Sequence, residues 1–545
     1  MEGPHEPTAE RSEAVGEVGP FGRSPALTWA DLLAAAGATA TRAAPPPNSL
    51  GGPAMPIYWG DIHNHNACGY AKGSTQRAFE IAREHLDFFA HTGHSQWPDM
   101  PIMPQNAHMH WVRGFKSMRE GWPEVKRLAR SFHSPGEFVT LLGWESHSST
   151  WGDYHIVFPD ETGELRYFAT LDGLKAYARD AGALLVPHHP GYPRLWRGQL
   201  WEHVDPELSP IAEIISEHGG AERDRGLHDY IRHSMGGRAT SSTWQWALDQ
   251  GMRLGAVGST DDHLGYPGAW GEGIAAVIAP ELTREAVFDA LRSRRCYAVS
   301  GDRIEIEFTV NGQPMGSELP ANSAREIEVS VRGWDELTLV ELIRNGEPIA
   351  RAFGRQKPAL DPWPGVARCH VRYGWGPWAT LAMPRTCDWE IALYLEGATL
   401  REVVPAWQAA PYEEHRRDRI LERGDTGCRW QSFTARQGAF AEDPSKRMYF
   451  EIEGPEAARV RLDVTRPARV VIERTLGELA AHSETEFTGE FTTENVQIER
   501  LVLPESYKAS LQIEDEGSGE GIDYYYVRVT QANGQMAWTS PVWVG

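Results

Sequence analysis

Three side chains that commonly bind metals occupy alternate positions in the segment YWGDIHNHNACGYAKG, residues 58–73: Asp61, His63 and His65. Alternate side chains of a β-strand point to the same face, so a strand that ends here would present one carboxylate and two imidazoles together. Imidazole and carboxylate form a typical ligand set for zinc, manganese or iron. The segment therefore predicts one part of a metal site whose other ligands come from elsewhere in the chain.

Histidines concentrate in the same part of the chain, since 17 of the 21 lie between residues 63 and 263. Five further apolar runs in this region, which we predict to be strands, also end in imidazole or carboxylate groups. Because the carboxyl ends of parallel strands converge on one mouth, we predict that these groups form a single metal site. The predicted metal ligands are Asp61, His63, His65, His94, Glu145, His188, His189, Glu217, His218, Asp261 and His263.

Several neighbouring residues have a weaker claim to the site. The run VPHHP leaves open whether His188 or His189 is the ligand. His147 and His155 follow the third predicted strand closely, and either one could reach the site. The residues that we expect to lie outside the site, or only to support it, are His108, His110 and Glu213.

The elements that must position these residues follow from hydrophobic periodicity. Between Tyr58 and Gly301, short apolar runs such as FVTLLGWES alternate with amphipathic stretches such as STQRAFEIAREHL. This alternation predicts strands and helices in a parallel α/β sheet or barrel. From Asp302 onward, runs such as REIEVSVRG and ARVVIER alternate with a period of two, which predicts one or two β-sandwich units.

The predicted domain organisation has three parts. Residues 1–54 are rich in Ala, Gly, Pro and Glu and are expected to form a flexible tail. Residues 55–301 form the α/β domain with the metal site. Residues 302–545 form the β-rich region, in which a Trp-rich segment near 355–445 is poorly periodic.

The composition narrows the classes of partner. The chain has 53 Lys and Arg against 75 Asp and Glu, a net charge of −22, which works against nucleic acid or an anionic membrane as the main partner. Five widely spaced cysteines indicate neither a disulfide framework nor a zinc knuckle. No apolar run is long enough to span a bilayer, and the acidic N-terminus lacks the basic start of a signal peptide. We therefore expect a cytoplasmic protein with a small-molecule substrate, and we leave self-association open.

In order and in type, the strand-end residues resemble the PHP (polymerase and histidinol phosphatase) superfamily of metal-dependent phosphoesterases. The resemblance covers roughly residues 58–301 and rests on an HxH pair, a Thr-x-His, a Gly-x-Glu, a His-Pro element and a final Asp-x-His. The chain is most similar to a poorly characterised branch in which an Ig-like β-sandwich follows the barrel. This resemblance implies a distorted (β/α)7 barrel that holds divalent ions (Zn, Mn or Fe). Gly93 stands where the family usually has Asp, so two or three ions remain open.

The function implied by this resemblance is hydrolysis of a small-molecule phosphate ester by a metal-bridging hydroxide. The residues expected to act in the reaction are Glu145, as a bridging carboxylate, with Asp261 and His263. A phosphate group also needs cationic donors beside the metals. The candidates for this substrate-binding part follow ligand-bearing strands and are Lys72, Arg194 and Arg197.

Two alternative functions remain open at this point. The same activated water could cleave a carboxylic ester, a lactone or an amide. In the second alternative the barrel is catalytically degenerate and the chain is a binding protein, in which aromatic pairs such as Trp375 and Trp378 could stack on a flat ligand.

Overall fold

A computed structural model describes residues 55–228, 230, 237–321, 324–355, 362–374, 386–435, 444–490, 493–519 and 521–545. The tail expected over residues 1–54 lies outside this part of the chain, and so do Trp375 and Trp378. The described residues form 31 strands and seven α-helices, so the fold is predominantly β.

The helices are few and most of them begin at a hydroxyl cap. Ser74, Thr170, Thr243 and Thr283 each accept a hydrogen bond from a backbone N–H of the first turn, which satisfies a donor that the helix leaves unpaired. No helix of the described residues is long and apolar enough to cross a membrane. The helices are α1 (Thr75–His85), α2 (Ala107–Phe132), α3 (Leu171–Asp180), α4 (Trp244–Asp249), α5 (Arg284–Arg292), α6 (Leu476–Ala481) and α7 (Pro504–Tyr507).

The strands of the N-terminal part are short and almost fully buried. Their bounds are β1 (Ile57–Asp61), β2 (Phe88–His91), β3 (His94–Gln96), β4 (Val139–Ser146), β5 (Tyr154–Phe158), β6 (Leu184–Pro187), β7 (Ile211–Ser216), β8 (Gly219–Gly220), β9 (Gly255–Gly258), β10 (Ile274–Ile278) and β11 (Cys296–Val299).

The predicted fold class, a (β/α)7 barrel, is wrong. Strands β1, β2 and β4 pair in parallel, but β4-β5-β6 and β1-β10-β11 pair antiparallel. Strands β7, β8 and β9 form a separate three-stranded sheet, so the strands described here do not close into a (β/α)7 barrel. The error has a physical cause: strands buried on both faces read as continuous apolar runs, and such runs carry no signal of strand direction.

Beyond residue 302 the regular structure of the described chain is mostly β-strand. Their bounds are β12 (Glu305–Val310), β13 (Gln313–Pro314), β14 (Glu318–Leu319), β15 (Arg325–Arg332), β16 (Leu337–Arg344), β17 (Glu347–Ala352), β18 (Val366–Gly374), β19 (Thr386–Glu396), β20 (Thr399–Ala406), β21 (Arg419–Gly424), β22 (Gly427–Ala435), β23 (Lys446–Glu453), β24 (Arg459–Arg466), β25 (Val470–Thr475), β26 (Glu484–Phe487), β27 (Asn495–Ile498), β28 (Lys508–Asp515), β29 (Asp523–Gln531), β30 (Met536–Thr539) and β31 (Val542–Val544).

One large sheet joins the two halves of the chain. Strand β11 pairs antiparallel with β30, so the 14-stranded sheet runs from β6 through β1 to the C-terminal strands β29 and β31. Two five-stranded sheets, β20-β23-β18-β27-β26 and β21-β22-β19-β24-β25, contribute to one core that includes Trp389 and Trp430. The sheet that bears most of the metal-site strands is therefore continuous with the C-terminal β region.

The histidine His85, whose ring nitrogens are buried, is expected to make the fold sensitive to acid. Burial, followed by the nearby Arg303 cation, lowers the pKa of His85 to about 4, against an ordinary value of 6.5. The unfolded chain therefore binds the proton first, and the stability that depends on neutral His85 is lost as the pH falls from about 6.5 towards 4. We expect the urea unfolding midpoint of His85→Gln to decrease less than that of the wild type as the pH falls from about 6.5 to about 4.

The measurement is urea unfolding with chelator present, so that proton competition at metal ligands does not contribute. His482→Gln, which changes an exposed histidine, is the control and should keep the wild-type pH slope. An unchanged slope in His85→Gln would show that another group causes the acid sensitivity.

Candidate metal centre

Six strand ends bring their polar side chains into one cluster, most of whose members are buried. The backbone ties two of these ends together: the N–H of His65 donates to the carbonyl of Asp262 over 3.0 Å, and the N–H of Asp261 donates to the carbonyl of His63 over 2.8 Å. The chain after β1 is thus tied directly to the chain after β9. The predicted ligands that enter this cluster are His63, His65, His94, Glu145, His188, His189, Glu217, His218, Asp261 and His263.

Four donor atoms at the centre of the cluster are spaced like the ligands of one ion. His63 Nε2 lies 3.2 Å from His65 Nε2, and Asp261 Oδ1 lies 3.4 Å and 2.7 Å from these two nitrogens. Glu145 Oε2 lies 3.9 Å and 3.6 Å from the same two nitrogens. Four ligands placed about 2.1 Å from a tetrahedral ion would lie about 3.4 Å from one another. The donor set and its spacing therefore fit a divalent transition metal.

Glu145 links this group to a second one. Its Oε1 lies 2.7 Å from His188 Nε2 and 3.2 Å from His147 Nδ1, while its Oε2 lies 3.2 Å from His94 Nε2. Further donor groups whose ligand atoms all lie within 4.8 Å of one another are Glu145–Asp153–His188–His189 and His65–His94–His263. One carboxylate thus faces both groups, which is the geometry of a bridging ligand.

For His65, His94 and Glu145, the electrostatics of the cluster favour the ligating protonation states. Burial, together with the charge of His263, lowers the pKa of His65 to about 3. Burial and the charge of His65 likewise hold the pKa of His94 well below its ordinary value. Although burial opposes it, the surrounding imidazoles hold the pKa of Glu145 well below that of a free carboxyl. Neutral imidazole and ionised carboxylate are the forms that bind metals.

Glu213 supports the cluster through its contact with the ring of His63. It is fully buried, and its Oε2 lies 2.9 Å from His63 Nδ1. A carboxylate that accepts the Nδ1 proton fixes the tautomer of an imidazole and leaves Nε2 free to bind a metal. Burial opposes a charge on the His63 ring, but Asp261 and then Glu213 more than compensate, so the pKa of His63 is raised.

His155, which the sequence left as a weaker candidate, is a member of the cluster. It is fully buried, neither ring nitrogen has a hydrogen-bond partner among the described residues, and it forms a donor group with His63 and His188. Burial, followed by the charge of His63, holds its pKa well below the ordinary value. The signal was its position opposite Glu145 in the β4–β5 antiparallel pair, which is visible only once strand direction is known.

Asp61 holds the strand ends together through both of its carboxylate oxygens. Its Oδ1 accepts hydrogen bonds from the backbone N–H groups of His63 and Thr260, at 3.1 Å and 3.2 Å. Its Oδ2 accepts from Thr260 Oγ1 at 2.6 Å and from the N–H of Gly268 at 3.0 Å. Both oxygens are therefore used in anchoring the loops that carry the cluster.

The three residues predicted to bind a phosphate lie in different surroundings. Lys72 is exposed, and Arg194 is paired with Glu202 at the surface. Arg197 is buried and paired with Asp153, and its Nη2 lies 2.7 Å from His147 Nδ1. Both arginines therefore already have carboxylate partners.

Three of the described members of the cluster are partly exposed to solvent. The side chains of His218, Glu217 and His263 are 12%, 27% and 30% exposed, whereas those of His63 and His65 are fully buried. His263 Nδ1 lies 2.7 Å from Glu217 Oε1, and His218 Nε2 lies 2.9 Å from Asp261 Oδ2. A small molecule would approach the central donors past this rim.

Comparison with known proteins adds relatives without a known function. A family model described as "Protein of unknown function (DUF3604)" matches residues 268–330, a stretch that begins after His263. An uncharacterized protein of Chlamydia pneumoniae is 27% identical over 254 residues, which are 43% of this chain and 41% of that protein. An uncharacterized protein of Chlamydia trachomatis serovar D is 31% identical over 172 residues, 29% and 28% of the two chains. This chain thus spans well under two thirds of the length of these relatives.

Similar solved structures are remote. A DUF4466 family protein from Parabacteroides merdae aligns with a TM-score of 0.09 and 6% identity over 34% of this chain and 48% of that chain. The major pilin subunit BcpA of Bacillus cereus aligns with a TM-score of 0.08 and 9% identity over 45% and 66%. These alignments carry no argument about fold or function.

The geometry indicates different roles for two of the predicted ligands: Asp61 anchors loops, and His65 is a candidate metal ligand. We expect Asp61→Asn to lower the stability of the metal-free protein by about 1–3 kcal/mol, because an amide nitrogen would face buried donors. His65→Gln should unfold near the wild-type midpoint without metal, yet lose the stabilisation that added Zn²⁺ gives the wild type.

Both variants are compared by urea unfolding, in chelator and with added Zn²⁺. A metal-free Asp61→Asn protein as stable as the wild type would contradict the anchoring role of Asp61. A His65→Gln protein with full Zn²⁺ stabilisation would contradict the ligand role of His65.

Proposed function

We propose that this protein is a metal-dependent hydrolase of a small molecule, with a phosphate ester as the first substrate class. The observation that carries the proposal is the set of four central donor atoms, from His63, His65, Glu145 and Asp261, with separations of 2.7–3.9 Å in a buried cluster. Without a cation, such a set of facing nitrogens and carboxylate oxygens would be costly to bury.

The residues of the cluster would have different roles in the proposed reaction. Two or three divalent ions held here (Zn, Mn or Fe) would supply an activated water and neutralise charge on the ester oxygens. His63 and His65, with Asp261, would hold one ion, and Glu145 would connect it to the group formed with His94 and His188. Glu213 keeps the His63 ring in the orientation that directs Nε2 into the cluster.

The phosphate ester is supported by the resemblance to the PHP phosphoesterases in the order of the strand-end residues. That resemblance concerns the ligand residues only, since the barrel of that family is not the fold of this chain. The cytoplasmic location expected from the sequence likewise stays a prediction.

The ion pairs that already engage two of the predicted phosphate-binding residues favour a second substrate class, which is a carboxylic ester, a lactone or an amide. A phosphate oxygen not bound to metal needs cationic or N–H donors. Arg194 and Arg197 are both paired with carboxylates, and only the exposed Lys72 is left among the three predicted cationic donors. A carbonyl substrate, which carries less charge, would need fewer such donors.

The deciding experiment combines metal analysis with a substrate screen. We expect protein purified without chelator to contain at least two Zn, Mn or Fe ions per chain, and His63→Ala/His65→Ala to lose both metal and turnover. His108→Ala/His110→Ala is the matched control, because this second HxH pair lies at the start of helix α2, and it should keep both properties.

The outcomes separate the two substrate classes. Turnover of phosphomonoesters or phosphodiesters would support the phosphoesterase, and turnover restricted to carboxylic esters, lactones or amides would support the second class. Absence of metal from the wild-type protein would overturn the metal-dependent hydrolase and favour a binding protein.

The support given by Glu213 yields a separate expectation. We expect Glu213→Gln to weaken metal binding about 10–100-fold, the usual cost of losing the carboxylate behind a ligating histidine. Glu207→Gln, which alters an exposed residue before the same strand, should bind metal like the wild type. Isothermal titration with Zn²⁺ measures both variants, and equal affinities in them would contradict the supporting role of Glu213.

A further inference from the structure

The loop between β9 and β10, residues 259–273, carries two of the cluster residues and rests on the C-terminal β region. Tyr266 and Ala269 are buried in the core that contains Trp389 and Trp430 of the two five-stranded sheets. The N–H of Trp270 donates to the carbonyl of Trp407, over 2.8 Å. The loop is thus attached to strands more than a hundred residues away in sequence.

A buried polar triad makes another of these attachments. Tyr266 Oη donates to Asp418 Oδ2 over 2.6 Å, and Lys446 Nζ donates to the same oxygen over 2.7 Å. Asp418 Oδ1 accepts from Ser432 Oγ at 2.5 Å and from the N–H of Phe433 at 3.1 Å. Asp418, Lys446 and Tyr266 are all buried, so this carboxylate is fully engaged and held in one position.

The other end of Tyr266 is connected to the metal cluster. Its backbone N–H donates to Asp262 Oδ1 over 2.6 Å, and the N–H of Leu264 donates to the same oxygen over 3.0 Å. Asp262 stands between the predicted ligands Asp261 and His263, and its carbonyl accepts the N–H of His65. A displacement of Tyr266 would therefore move Asp262, and with it the adjacent Asp261 and His263 along the chain and His65 through its backbone hydrogen bond.

The chemistry of the triad indicates that it fixes the position of Tyr266 and does not merely fill space in the core. Burying a lysine and an aspartate costs desolvation energy, and an apolar contact of similar volume would often stabilise the fold as well or better. What the ion pair adds is a fixed direction for the Tyr266 hydroxyl, because Lys446 and Ser432 hold both oxygens of Asp418. Tyr266 then has one hydrogen-bonded position.

We propose that Asp418 is a positioning residue for the metal centre, acting through Tyr266 to hold the loop that presents Asp261 and His263. The inference rests on the metal centre of the proposed function. In this arrangement the C-terminal β region positions residues of the metal centre. The residues of the triad do not bind the metal themselves.

The test compares two tyrosine variants of the full chain that lose the same kind of bond. Tyr266→Phe removes the bond to Asp418, and Tyr525→Phe removes a 2.6 Å bond to Asp515, with Arg325 beside it, in the C-terminal strands. Co²⁺ is titrated into metal-free protein, and its visible absorption spectrum reports the geometry and affinity of the centre. Thermal unfolding of the metal-free proteins reports the general loss of stability.

We expect Tyr266→Phe to weaken Co²⁺ binding about tenfold and to alter the spectrum, a cost in the range known for residues behind metal ligands. Tyr525→Phe should lose comparable thermal stability and keep the wild-type affinity and spectrum. Wild-type affinity and spectrum in Tyr266→Phe, or equal changes in both variants, would overturn the positioning role alone. Wild-type protein that binds no Co²⁺ would overturn the proposed function and this inference together.

A milder variant keeps the test decisive if Tyr266→Phe does not fold. Ser432→Ala removes one donor to Asp418 and leaves the bonds from Lys446 and Tyr266 in place. We expect a smaller weakening of Co²⁺ binding in the same direction, with faster amide exchange over residues 259–273. An unchanged spectrum together with unchanged exchange would overturn the proposal.

Discussion

The burial of many imidazole and carboxylate groups in one place is the constraint on which the rest of this structure depends. A buried polar atom is costly unless it is paired, and a buried charge costs more. At the centre of the cluster, His63 and His65 turn nitrogens towards each other while Asp261 and Glu145 turn oxygens towards both. Protons can satisfy some of these atoms, but one cation can satisfy all four at once. The proposed metal centre is in this sense the simplest resolution of the burial cost.

The surrounding sheets explain how such a cluster can be assembled. Parallel pairing of β1, β2 and β4 brings the first ligand groups to one edge. The antiparallel hairpin of β4 and β5 then adds His155 opposite Glu145. The separate β7–β9 sheet adds Glu213, which contacts the ring of His63. The mixed sheet therefore supplies side chains of the cluster from strands that run in both directions, which a purely parallel arrangement would not.

The C-terminal strands are structurally inseparable from the site. They extend the same sheet through β11 and β30, and they hold the loop of Asp261 and His263 through the triad of Tyr266, Asp418 and Lys446. The same region also reaches helix α1, where Glu414 accepts hydrogen bonds from Ser74 at the helix start. A boundary drawn near residue 301 marks a change of sequence texture, but hydrogen bonds and core packing cross it freely.

The sequence by itself determined which residues can form the site. Imidazoles and carboxylates placed at the ends of apolar runs must lie near the ends of buried strands, and ten of the eleven predicted ligands do lie in the cluster. Only the tertiary structure decided the direction of the strands, since a run buried on both faces has no periodicity that reports it. It also decided that Asp61 anchors Thr260 and Gly268, and that Arg197 is paired with Asp153. These roles depend on partners distant in sequence, and no local pattern encodes such pairings.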